Sequence, residues 1–369
     1  MNRILVFGGA ALGCFFLALC AIFLVRPLFR TRGIVTVVSI LPRSGPDQAW
    51  SDPIVQGIKL AIDEHGNAAG WCKVRYEDWD YADSIDKVVA PETSLKRTAM
   101  RAVADRDVFA VIGPFDPAAA KVIVPILHEA RLLCVSPGEA DPSTPRPAGH
   151  VNYFRVAART DVLGTAAAER AHKLGAKRVF VLRDGERPSP DSAEVFCREA
   201  EKLGLRVVGG ESLGTLSDAA LRGAILKLQP DLVYFSGMSA RRFGALAEDL
   251  DLGGYTGNFM LSERAMSVSF INKAGRAAQR TCVVFGVEAP SDGFERKYRE
   301  RFDVTPGILA YYGYLAGHAV MEALENADAR DRDVIRASCA RLPYFDAQGD
   351  LAPGSLKGGV VWGRQFVPE

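Results

Sequence analysis

Short β-branched runs that end in turn residues alternate along this chain with stretches whose apolar positions recur at helical spacing. Ile34–Leu41 (IVTVVSIL) reads as a buried strand ending in Pro42-Arg43-Ser44-Gly45-Pro46. Ser51-Asp52-Pro53 predicts an N-cap with proline in the first turn, opening a helix over Ile54–Glu64 with Ile54, Ile58 and Ile62 on one face. Trp71–Tyr76 predicts a second strand, ending in Glu77–Tyr81, and Thr93–Asp105 a helix. Val108–Ile112, Ala118–Ala130 and Leu132–Val135 then give strand, helix, strand. Two strands that share a covering helix should be parallel, with a right-handed crossover. Ligands of such sheets sit beyond the carboxyl ends of the strands. Pro114–Pro117 and Pro137–Asp141 therefore fall on one rim, predicted to be one wall of a ligand cleft.

The same alternation restarts after residue 150. Strands are predicted at Asn152–Val156, Arg178–Leu182, Leu205–Val208, Leu232–Phe235, Asn258–Leu261 and Cys282–Phe285. Helices are predicted between them at Asp161–Gly175, Ser192–Leu203, Ser217–Leu228 and Ala240–Leu250. Phe294–Phe302, Leu309–Asn326 and Asp331–Arg341 follow as further helices, and a turn joins β-like runs at Tyr344–Asp350 and Val360–Phe366. Two βα arrays followed by more helices require the tail to pack back on one lobe or both. Several chain crossings between lobes make a hinge with a cleft between them.

Ile4–Val25 changes the picture at the N-terminus. It runs 22 residues without a charge, between Arg3 and the group Arg26, Arg30 and Arg32. About 20 apolar residues suffice to span a bilayer as a helix. No small-residue cleavage site precedes Arg26, so an uncleaved membrane anchor over residues 4–25 is the expectation, against a cleaved or lipidated signal. Arginines flank both ends and leave the orientation open.

The 45 basic and 44 acidic residues give a net charge of +1. The four arginines of residues 1–33 have no acid among them, and without these four 41 basic face 44 acidic residues. Such a balance excludes a nucleic-acid footprint. Of seven cysteines, Cys14 and Cys20 lie in the apolar segment. Cys72, Cys134, Cys197, Cys282 and Cys339 are widely spaced, without CxxC or zinc spacing; Cys134 and Cys282, in apolar runs, read as buried free thiols, and the alternative is one disulfide among the five. HExxH, P-loop and GxGxxG motifs are absent, and no enzyme, cofactor or metal is expected.

Several segments, in order, resemble a known family. They are SILP with the following Ser44-Gly45, QGIKLAIDEHGNAAG, VFAVIGP, LLCVSPGEADP, VNYFRVAARTD, KRVFVLRD, PDLVYFSG, NFMLSE, ILAYYGYLAGHAVMEAL and FDAQGD. Together they resemble the type I periplasmic binding proteins, and within them the leucine/isoleucine/valine-binding group of ABC-transporter solute receptors. The resemblance covers most of residues 34–369. It implies an α/β fold of two Rossmann-like doubly wound lobes joined by three crossovers, here preceded by the N-terminal signal or transmembrane helix. The crossovers should lie near Phe154–Ala157, Gly286–Ala289 and Leu342–Phe345. The implied division is 1–33 as anchor or signal, 34–154 with 288–342 as the first lobe, and 155–287 with 343–369 as the second.

The resemblance also implies a small-molecule ligand held between the lobes, an ABC permease as membrane partner, and an extracytoplasmic location for the part after the anchor. The alternative is a membrane-anchored sensing or scaffold ectodomain that kept the fold and lost transport. Ligand-binding candidates are Trp50, Phe115, Asp116, Gly138, Glu139, Asp184, Met238 and Glu263. Pro117 stands where amino-acid-binding members place a serine for the ligand carboxylate, with Asp116 beside it. Ala140 replaces a threonine, Arg187-Pro188 an aromatic residue, and Met238 a tyrosine. Glu263 keeps the acid that faces the ligand ammonium, and Trp50 keeps an aromatic position. Proline offers neither hydroxyl nor N–H. A rim rich in Asp116, Glu139, Glu263 and Asp184 disfavours a buried carboxylate. It is expected to prefer a cationic, amide-bearing or hydroxylated ligand.

Overall fold

The computed structural model describes residues 33–45, 47–82, 91–184, 192–285, 291–351, 357–362 and 365–368. In chain order the strands are β1 (Gly33–Leu41), β2 (Ala68–Ala69), β3 (Cys72–Asp80), β4 (Val108–Ile112), β5 (Leu133–Ser136), β6 (Tyr153–Arg155), β7 (Arg178–Asp184), β8 (Arg206–Leu213), β9 (Leu232–Ser236), β10 (Asn258–Ser262), β11 (Thr281–Phe285), β12 (Lys357–Trp362) and β13 (Gln365–Pro368). The helices are α1 (Gln48–Glu64), α2 (Pro91–Ala104), α3 (Pro117–Glu129), α4 (Thr160–Lys173), α5 (Ser192–Lys202), α6 (Asp218–Leu228), α7 (Ala240–Leu252), α8 (Val268–Ala274), α9 (Asp292–Phe302), α10 (Ile308–Asn326) and α11 (Arg332–Cys339).

Two sheets result. The first has the order β2-β3-β1-β4-β5-β6 and the second β13-β12-β11-β10-β9-β7-β8. All pairs in the first are parallel except the short β2 edge. The second is parallel from β8 to β11, with β12 and β13 antiparallel at its edge. A central parallel strand buries both faces. Val35 and Val37 of β1 belong to the apolar core on one side of the first sheet, Val38 and Ile40 to the core on the other. That is why β1 reads as an unbroken apolar run.

The chain passes between the sheets three times. β6 pairs with β5, and the next helix, α4, packs Ala167 and Ala168 with Val179 of the second sheet. After β11 the chain returns to place α10 against α1. After α11 it comes back to pair β12 with β11. The segment predicted for the second crossover, 286–289, lies outside the described residues, as do Ile4–Val25 and Arg187-Pro188. Among the described residues no helix is long and apolar enough to cross a membrane. Cys72, Cys134, Cys197, Cys282 and Cys339 are free thiols.

α1 and α10 meet backbone to backbone. A Cβ on Gly57 would overlap the carbonyl oxygen of Ala310, and one on Gly313 the carbonyl oxygen of Ile54. Only glycine permits that approach.

Several elements differ from the sequence reading. α1 begins at Gln48, so Ser51-Asp52-Pro53 lies inside it rather than capping it. Ser51 is fully buried, and its hydroxyl donates to the carbonyl of Pro42 and accepts from Arg43 Nη1 at 2.9 Å. Tertiary bonds have replaced the local cap. β3 runs on to Asp80, because its acids find partners: Asp78 accepts from Ser39 Oγ at 2.6 Å and from Arg43 Nε at 2.7 Å. α8 was not foreseen, although Ser267 caps it by accepting from Phe270 N at 3.2 Å. Tyr344–Asp350 is no strand, with a single bridge between Phe345 and Leu351.

Candidate functional site

β4 and β5 end side by side, and their loops form the first rim. Ser136 ties the two together: its hydroxyl donates to the Pro114 carbonyl at 2.7 Å and accepts from Glu139 N at 2.9 Å. Phe115 is buried with its ring over Gly138, where a Cβ would come within 2.5 Å of the ring. Trp50, on the first turns of α1, packs half-buried against the core that contains Phe115.

Asp116 serves the fold. It caps α3, accepting from Ala119 N at 2.9 Å, while its second oxygen accepts from Tyr81 OH at 2.9 Å. Burial raises the Tyr81 phenol, and the Asp116 charge adds to the shift. The sequence held this signal, since Asp before Pro at a helix start is a cap with proline at N1.

Glu139 is fully buried in a network that ties the crossings together. Oε1 accepts from Asp141 N at 2.5 Å and from Thr144 Oγ1 at 2.9 Å. Oε2 accepts from Tyr153 OH at 2.8 Å and from Arg155 Nη1 at 3.1 Å. Arg155, at the end of β6, also grips Asp350 through Nε at 2.7 Å and Nη2 at 3.2 Å. Burial alone would lower the Arg155 pKa, but the bonds to Asp350 and the Glu139 charge more than offset it and hold it raised. Arg146 donates to Asp350 as well and to the carbonyl of Tyr153. Asp350 lies on the segment returning to β12, so the network staples the first and third crossings.

The second rim is made by the ends of β7, β9 and β10. Asp184 accepts from the backbone N–H of Met238 and, at 2.9 Å, of Ser239. It thereby fixes the loop that opens α7. Met238 packs half-buried on the same apolar core as Trp50. Glu263 is buried in a single 3-10 turn after β10. Tyr312 of α10 comes against it: burial raises that phenol most, with the Glu263 carboxylate next and Arg264 opposing.

One residue missing from the sequence reading joins the rims. Arg264, half-buried, donates from Nη2 to the carbonyl of Gly138. Its signal was its place directly after Glu263, a basic side chain on a predicted cleft rim. Tyr312 was expected in the core and is buried, yet its hydroxyl belongs to this cluster.

The structure thus brings Phe115 and Gly138 together on the first rim and Asp184 with Met238 on the second, and Arg264 links Gly138 to the Glu263 turn. Asp116, Glu139 and Asp184 hold backbone N–H groups, hydroxyls and a guanidinium of the chain itself, while Arg264 adds a cation that the acid count omitted. Among the described residues no group of His, Cys, Asp and Glu could hold a metal ion.

Comparison with known proteins gives the family. The family described as Periplasmic binding protein matches residues 34–360. The chain belongs to it. That is the family the sequence motifs resemble. A Leu/Ile/Val-binding protein, BraC3, of Rhizobium johnstonii is 27% identical over 208 residues. That match spans 55% of this chain and 54% of the relative, about half its length. Among solved structures, the branched-chain amino acid transporter substrate binding protein LivJ of Streptococcus pneumoniae, in complex with isoleucine, superposes with a TM-score of 0.72 at 16% identity, covering 91% of this chain and 100% of that one. A solute binding protein of R. palustris in complex with benzoate gives 0.71 at 17% identity, covering 91% and 95%. At such identities the likeness is one of fold. The two bound ligands differ in chemistry.

Proposed function

We propose that the protein is an extracytoplasmic solute receptor of an ABC transporter, closing two lobes over a small ligand of amino-acid type. On this reading the lobes are residues 34–154 with 288–342 and 155–287 with 343–369, and the permease is the membrane partner. Trp50, Phe115, Gly138 and Met238 line the cleft with Glu263 and Arg264, while Asp116, Glu139 and Asp184 hold the loops in place. The observation that carries the reading is Arg264, which reaches from the second rim to a neutral carbonyl on the first. A ligand carboxylate is a stronger partner for a guanidinium than a peptide oxygen. Glu263, the neighbouring residue, supplies the opposite charge for an ammonium. A zwitterion suits this pair better than the cationic, amide-bearing or hydroxylated ligand that the acid count favoured.

Titration calorimetry with a panel of L-amino acids and with benzoate tests it. One ligand class is expected to bind, and Arg264→Ala to weaken it about 10- to 100-fold, the range for a hydrogen bond to a charged group. Unchanged affinity in Arg264→Ala would overturn the assignment. The engagement of Asp116, Glu139 and Asp184 within the chain favours a second reading, a sensing or scaffold ectodomain without transport. Failure of every solute to bind would support it.

A further inference from the structure

A second cavity lies at the opposite end of the first sheet, where the strands begin. It measures about 520 Å³, and Arg106, Arg131, Arg330 and Arg332 line it together with Phe109 and the aspartates Asp331 and Asp333. That volume lies in the range of small-ligand sites. The aspartates are occupied. Asp331 caps α11, accepting from Asp333 N at 2.8 Å and Val334 N at 3.1 Å. Asp333 accepts from Arg131 Nη1 at 2.6 Å and from Arg336 Nε at 3.3 Å. The arginines are held differently. Among the described residues Arg332 bonds carbonyls alone, of Val103, Asp105 and Val108, at 2.9 to 3.3 Å. Burial lowers its pKa, and the nearby Asp105 charge opposes that shift. Arg330 pairs with Asp107 and lies over the Phe109 ring, 5.1 Å from its centroid. Arg106 is exposed and makes no bond with the described residues.

The chain enters the fold at the mouth of this cavity. A Cβ on Gly33 would lie 3.5 Å from Cδ of Arg330. Residues 26–32 separate Gly33 from the uncharged stretch 4–25 and add Arg26, Arg30 and Arg32. Seven residues reach at most about 25 Å. If residues 4–25 lie in the membrane, the mouth of the cavity stays within about 25 Å of the hydrocarbon, a reach that includes the headgroups.

We propose that this arginine-lined cavity binds the phosphate of an anionic phospholipid headgroup and seats the base of the first lobe on the membrane. The proposal rests on the anchor reading of residues 4–25 and is independent of the solute bound in the cleft. A guanidinium cradle suits a phosphate by charge and by paired hydrogen bonds. A phosphate here lies at the far end of β4 from the cleft, so it leaves the solute rim clear.

The test uses the full chain with vesicles of phosphatidylcholine alone or mixed with phosphatidylglycerol, and reads backbone hydrogen exchange at residues 103–109 and 330–334. Phosphatidylglycerol is expected to protect both segments. Arg106→Glu should reduce that protection about fivefold or more, the worth of one basic side chain near an anionic surface, while Arg106→Lys retains it. Among the described residues Arg106 has no partner, so neither change should disturb folding. Equal protection with both vesicles, or protection unmoved by Arg106→Glu, overturns the proposal. Protection by glycerol 3-phosphate without any effect of phosphatidylglycerol overturns the lipid as the source. Co-flotation with phosphatidylcholine vesicles reports the anchor separately, so a failed anchor and a failed cavity give different results.

Discussion

Replacing Arg155 by methionine removes a cation that is 1% exposed and leaves two carboxylates facing each other across the space it filled. Glu139 is 0% and Asp350 5% exposed, so neither can recover its lost bonds from water. Arg155 supplies two bonds to Asp350, one to Glu139 and one, at 2.6 Å, to the carbonyl of Asp141. Arg146 still reaches Asp350, and Tyr153 and Thr144 still reach Glu139. Breaking a buried pair from one side costs about 3–5 kcal/mol, and two stranded acids put the expectation at the upper end. Equilibrium urea unfolding at neutral pH measures it. One control follows from the same physics. Adding Glu139→Gln to Arg155→Met should restore about 1–3 kcal/mol as coupling between contacting residues. A loss below about 1 kcal/mol, or no recovery on adding Glu139→Gln, would refute the account of this network as the staple between the crossings.

Gly313→Ala should cost about 2–3 kcal/mol in thermal or urea unfolding, because the new methyl meets main chain of α1 that cannot rotate away; a neutral result would contradict the close approach. Asp116→Ala should lose about 1–2 kcal/mol and Asp116→Asn clearly less, since asparagine also caps; equal losses would mean that the cap is not what Asp116 supplies. His318 is lowered from its ordinary 6.5 by burial first and by His65 next, and His150 by burial first and by His128 next. Their native values lie below the unfolded one, so stability should fall as pH drops through about 6.5 and level off below the native values. Melting temperatures of the wild type against His318→Gln with His150→Gln check this, and parallel pH profiles would argue against it.

The alternation of strands and helices was legible because a parallel strand buried on both faces leaves an unbroken apolar run. Val108–Ile112 and Leu232–Ser236 are fully buried along their length. Segments whose stability comes from distant partners were not legible. Ser51 looks like a cap until the Pro42 carbonyl is placed beside it. The acids at the end of β3 look like a loop until Ser39 and Arg43 stand opposite them. α8 is two turns long, too short for a periodic pattern to show.

At the cleft the same limit decides what a count of charges can say. Sequence position put Asp116, Glu139, Asp184 and Glu263 at strand ends, and the structure places them there. Position does not reveal partners. Tyr81 lies 35 residues from Asp116, and Arg155 lies 195 residues from Asp350. An acid bonded to N–H groups and a guanidinium presents little of its charge to a ligand, because those donors already take up its lone pairs. The expectation of a carboxylate-repelling rim therefore treated as free charge what the fold uses to hold its loops and hinge. Two adjacent residues of opposite sign, Glu263 and Arg264, sit on a turn that Tyr312 reaches from α10. On the proposed reading the selection of charge comes from that one turn of the second lobe, and the selection of shape from Phe115 over Gly138 on the first. On that reading, substitutions at 263 and 264 would change the solute while Asp116, Glu139 and Asp184 go on holding the loops and the crossings.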